Sequence, residues 1–135
     1  VTTVGSFSMA RTQSWRDDVR AGMQALLLQN QGNVRGIWAS FDGQAYIIDD
    51  LLQAQGVKRG EIALVSIDGG AESYRRIADP ESTFLATVMI PFERMGEMAV
   101  ESLETIVVNG ADKSTITPTS SSMRSLSTAT TWQSS

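Results

Sequence analysis

Residues 62–70 read IALVSIDGG. A mostly apolar run from Ile62 to Ile67 stops at Asp68, Gly69 and Gly70. Residues 36–43, GIWASFDG, end in the same way, with Phe41 followed by Asp42 and Gly43. A buried strand does not tolerate an unpaired charge at its tip, because burying a lone carboxylate is costly. Two strands with this ending point to a rim where the tips leave the core.

Working outward, the chain alternates strand and helix patterns. Val1–Val4 reads as a short strand, followed by a polar loop from Gly5 to Gln13. Ser14 is placed to cap a helix with Trp15, Val19, Met23, Leu26 and Leu27 on one face. Val34–Ala39 lacks the alternation of a half-exposed strand, which predicts burial on both faces. Asp42 is expected to cap a helix with an apolar stripe of Ala45, Ile48, Leu51 and Leu52, and Gly56 to end it. Ile62–Ile67 is the next strand. Glu72–Ala78 reads as a short helix stopped by Pro80. Phe84–Ile90 is a further strand. Phe92–Val108 is a long helix with Phe92, Met95, Ala99, Leu103 and Ile106 facing inward.

This order predicts an α/β fold: a parallel, doubly wound sheet with helices on both faces. Residues 1–113 form the folded part, and the Ser/Thr-rich stretch 114–135 reads as a loose tail. In such sheets ligands bind beyond the carboxyl ends of the strands. That rule makes Asp68 the first candidate, since a carboxylate there accepts hydrogen bonds from the hydroxyls of a polyol. Gly69 and Gly70 would let a ligand approach the backbone. Asp42 is a weaker candidate, because capping alone explains it. Phe41 and Trp15 offer aromatic faces for a sugar ring or another flat molecule, and packing roles are as natural for both.

Composition narrows the function. Of 135 residues, 41% are hydrophobic and 19% charged, ordinary for a globular protein. There is no cysteine and no histidine, which removes disulfides, thiolate metal sites and the commonest general base. Net charge is −4 with the basic residues scattered, so a nucleic-acid face is not expected. No apolar run approaches the ~18 residues of a membrane span. Phosphate-loop and G-x-S-x-G motifs are missing. The expectation is a non-enzymatic protein without metal or cofactor. A carboxylate pair of Asp42 and Asp68 is the only catalytic arrangement the pattern offers.

The stretches VRGIWASFDGQAYIIDDLLQAQGVKRGEIALVSIDGGAESYRRIAD and FLATVMIPFERMGEMAVESLETIV resemble the carboxy-terminal lobe of periplasmic sugar-binding proteins of ABC importers, with the type I, ribose-binding-protein-like fold. The likeness covers roughly residues 1–110 and rests on the order and spacing of short motifs. It implies one incomplete lobe of a two-lobed clamp and a sugar-like ligand. It also implies a membrane permease as partner and a periplasmic or extracellular location. Asp68 matches the family's ligand carboxylate and Trp15 an aromatic that packs on the sugar ring. Phe41 stands where the family has a ligand Asn, and Ile90 where it has a ligand Gln. Two polar ligand positions are thus apolar here, which suits a less hydroxylated, more hydrophobic or larger ligand than a simple sugar, or a different binding pose. The alternative is the effector-binding domain of a lactose-repressor-type regulator, which shares the fold. An incomplete lobe should expose sheet edges and self-associate through them.

Overall fold

The computed structural model describes residues 1–9 and 13–116. The chain divides into two compact units, Val1–Ile90 and Pro91–Ser135. The first is a small α/β domain in which a parallel sheet is flanked by helices. Its elements are α1 (Trp15–Gln29), β1 (Gly36–Trp38), α2 (Asp42–Ala54), β2 (Ala63–Asp68), α3 (Ala71–Ala78) and β3 (Phe84–Met89). The strands lie in the order β1-β2-β3, all parallel. Ile37 pairs with Leu64 and Trp38 with Val65. A register shift follows Leu64, after which Ser66 pairs with Thr87 and Asp68 with Met89.

Local chemistry explains the ends. After α2, the Gly56 N–H donates to the Gln53 carbonyl and the Val57 N–H to the Leu52 carbonyl. Gly56 takes a φ of 77°, the left-handed turn that closes many helices. Asp79, before Pro80, is extended and ends α3 as proline requires. The Arg59 guanidinium then donates to the carbonyls of Ile77 and Asp79 at the end of α3 and of Ser82 and Phe84 leading into β3, tying the helix end to the next strand.

One core holds this unit together. Ile37, Leu64 and Phe84 from the three strands meet Val19 and Met23 of α1 and Ala45, Ile48 and Leu52 of α2, with Ile77 of α3 packed against them. The helices of this unit therefore share one face of the sheet, not the two expected. Successive right-handed crossovers in the order β1-β2-β3 carry α2 and α3 to the same side. On the other face Trp38 and Val88 are 68% and 65% exposed. The two-sided burial expected for Val34–Ala39 fails for the same reason, and β1 is only three residues long.

Two further expectations are corrected. Val1–Val4 forms no strand, and residues 1–9 carry no regular structure. The segment instead lies along α1: a Cβ on Gly5 would sit 2.5 Å from Leu26, and one on Gly22 would strike the Phe7 ring. Half-buried Phe7 anchors it there, and Val1 and Val4 stay exposed. In the second unit, α4 (Phe92–Val107) has no buried residue. Phe92, Met95 and Leu103, expected inward, are exposed, so the amphipathic pattern is present without a packed face. A short 3₁₀ turn, Lys113–Thr115, follows. The stretch assigned to a tail lies outside the described residues beyond 116.

Candidate functional site

The carboxyl ends of β1, β2 and β3 bring together Phe41, Asp42, Asp68, Gly69 and Ile90. Asp68 is half-buried at the tip of β2. Its carbonyl accepts the Ile90 N–H at 2.7 Å. Its Oδ2 accepts the Asp42 N–H at 3.2 Å. That bond caps α2 from a distance, by satisfying one of the open N–H groups of its first turn with a carboxylate at the positive end of the helix. Among the described residues, Oδ1 of Asp68 has no hydrogen-bond partner.

The backbone here is unusual. Asp68 has a φ of 151°, the only positive value outside glycine among the described residues, and Gly69 follows at 80°. A residue with a side chain rarely occupies this region, and holding it there costs about 1–3 kcal/mol. Gly69 also has no space for a side chain, since a Cβ would lie 2.9 Å from the Met89 Cα.

Asp42 does not cap its own helix as expected. Phe41 holds the position before α2 and Asp42 begins it. The Asp42 carboxylate turns inward and is 3% exposed. Oδ1 accepts from Ser66 Oγ and, at 2.7 Å, from Thr87 Oγ1. Oδ2 accepts from Ser73 Oγ and, at 2.9 Å, from the Gly69 N–H. Tyr46 Oη lies 2.7 Å from Ser73 Oγ and extends the chain. Burial pushes the Asp42 carboxyl up, and the bonds from Ser66, Ser73, Thr87 and Gly69 outweigh it, leaving the pKa below the ordinary 3.8. With four donors on it, this carboxylate is not available to a ligand, and the Asp42–Asp68 pair reduces to one accessible acid.

Trp15 and Phe41 meet at the same rim, with ring centroids 5.3 Å apart and the planes tilted by 58°. Both are half-buried, and Trp15 is packed against the core. The Arg16 guanidinium lies over the Trp15 ring, 4.5 Å from its centroid. Gly43 makes room for the pair, as a Cβ there would be 2.8 Å from the Phe41 ring. The rim thus offers one carboxylate oxygen among aromatic and aliphatic groups. Two open grooves lie elsewhere, toward the amino ends of the strands. One, of about 520 Å³, is bordered by Val34, Arg35, Glu61 and Ile62, and the other by Arg59, Pro80 and Glu81.

The hydroxyls around Asp42 were not singled out in the sequence. Ser66 and Thr87 interrupt the apolar runs ALVSID and FLATVM, and they pair across the sheet. A hydroxyl inside each of two neighbouring buried strands was the readable signal for a buried acceptor between them. Among the described residues there is no cluster of three or more potential metal-ligating side chains, and no helix is long and apolar enough to cross a membrane. No family model, curated protein or solved structure matches the chain.

Proposed function

We propose that this chain is the larger part of the carboxy-terminal lobe of a solute-binding protein of an ABC importer. It would hold a sugar-like molecule outside the cytoplasm for a membrane permease. In that reading the complete lobe is doubly wound, with helices on both faces of the sheet. The observation that carries the proposal is the unpartnered Oδ1 of Asp68 at the carboxyl rim, beside Ile90 and the Phe41–Asp42 turn, whose Phe41 ring meets Trp15. A lone acceptor beside apolar surface suits a ligand with few hydroxyls and a hydrophobic portion, such as an aryl glycoside. The engagement of Asp42 supports binding over catalysis, because it takes the other strand-end acid out of a ligand's reach.

The test is an NMR titration of the chain with phenyl β-D-galactoside and with D-galactose. The glycoside is expected to shift the Trp15 indole and Gly69 amide signals at lower concentration than the sugar. Asp68→Ala should weaken that response about tenfold or more, the effect of removing a charged hydrogen-bond acceptor. Silence at these signals with both compounds, or an unchanged Asp68→Ala titration, would reject the site.

The same reading holds that the chain self-associates through its sheet. Trp38 and Val88 lie exposed on one face, and β1 and β3 are edge strands among the described residues. Sedimentation velocity should show a concentration-dependent increase in mass that Trp38→Glu reduces. A compact monomer across the concentration series would count against it.

A further inference from the structure

We infer that Asp42 is a positioning residue, whose buried carboxylate and backbone N–H together hold Asp68 in its strained conformation and aim its free oxygen outward. A carboxylate in the first turn of a helix ordinarily faces water. This one is buried and gathers donors from β2, the following loop, α3 and β3. Three bonds fix the Asp68–Gly69 backbone and the Asp68 side chain. They are Gly69 N–H to Asp42 Oδ2, Asp42 N–H to Asp68 Oδ2, and Ile90 N–H to the Asp68 carbonyl. Two of the three run to residue 42. Without them, only the Ile90 bond of the three is left to oppose the return of Asp68 from φ 151° to an ordinary extended value.

The two oxygens of Asp42 separate stapling from positioning. Oδ1 serves the strand hydroxyls of Ser66 and Thr87, and Oδ2 serves the loop N–H of Gly69 together with the Ser73 hydroxyl of α3. Asp42→Asn can keep an acceptor for the strand hydroxyls, but its NH2 group cannot accept from Gly69. Ser66→Ala removes a staple and leaves the loop bond in place.

The experiment reads the HN–Hα coupling of Asp68 and the hydrogen exchange of the Gly69 amide, with the Phe84 amide as internal reference. In the wild type the coupling should be small, as the positive φ requires, and Gly69 should be protected. Asp42→Asn should raise the coupling to that of ordinary extended backbone. It should also speed Gly69 exchange about ten- to a hundredfold relative to Phe84, the range for losing a hydrogen bond to a charged group. Ser66→Ala should lower stability with both signals at their wild-type values.

A free Gly69 amide in the wild type would overturn the inference. So would an Asn variant with the loop intact, or a Ser66→Ala variant whose loop relaxes. The wild-type and Ser66→Ala measurements decide the matter even if the Asn variant does not fold. The consequence for binding rests on the proposed ligand reading: Asp42→Asn should lose the phenyl β-D-galactoside response. If the wild type itself ignores the glycoside, the binding reading fails, while the loop signals still decide whether Asp42 positions Asp68.

Discussion

Replacing Asp49 with alanine is expected to destabilise the first unit by about 3–5 kcal/mol, because several buried donors lose their acceptor at about 1–3 kcal/mol each. Asp49 is fully buried in α2. Its carboxylate accepts from Arg76 and Ser82 Oγ, each at 2.9 Å, and from the Thr83 N–H and Oγ1. Alanine removes this acceptor from each of them. Arg76 retains Asp50 and Glu72, so the larger loss falls on the buried Thr83 N–H and the two hydroxyls. The effect also has a direction in pH. Burial pushes the Asp49 carboxyl up, and bonds from Gln53, Thr83 and Ser82 outweigh it, so its folded pKa lies below the ordinary 3.8. A depressed folded pKa gives stability that is complete above the unfolded value and is lost as pH falls through the folded one. Urea unfolding at pH 7 and at pH 3 should therefore show the gap between wild type and Asp49→Ala narrowing in acid. A gap that is small at pH 7, or that widens in acid, would refute the role given to Asp49.

Phe84→Ala is expected to cost a similar about 3–5 kcal/mol by opening a cavity in the core. Phe84 is 0% exposed and meets Tyr46 edge-on, with centroids 6.2 Å apart. Trp38 is the control. It is a larger residue on the strand at the opposite edge of the sheet, but it belongs to the open face. At low protein concentration Trp38→Ala should change stability by only about 0.5 kcal/mol, as expected of an exposed position. Equal losses at Phe84 and Trp38 in urea denaturation would mean that both faces of the sheet are covered.

The strands and helices were legible because their boundaries are written in local chemistry. Gly56, Pro80 and the apolar runs at 62–67 and 84–89 say where elements stop and start. The parallel order followed from alternation. The faces were harder to read. An apolar strand looks the same whether one side or both are covered, so Trp38 gave no sign of its exposure. In α4 an apolar stripe states that a face could be buried, not that it is. At the rim, the strand-end rule singled out Asp68 and set Phe41 and Trp15 beside it as candidates, because that rule is topological, whereas Ile90 entered only through the family resemblance. It missed the division of labour between the two acids. Asp42 as a cap was a local explanation, and its actual partners are 24 to 45 residues away. No window on the chain shows such a network, apart from the hydroxyls of Ser66 and Thr87 in apolar surroundings.

Those separations bear on how the polypeptide matures as it leaves the ribosome. When α2 has emerged, neither of its inward acids has a complete set of donors: Thr83 and Thr87 have yet to be made. Until they arrive, each acid is better off in water than inside, and the nascent helix has reason to stay undocked. Final docking must wait for the third strand, which brings the missing donors to the first turn and the middle of α2 at nearly the same moment.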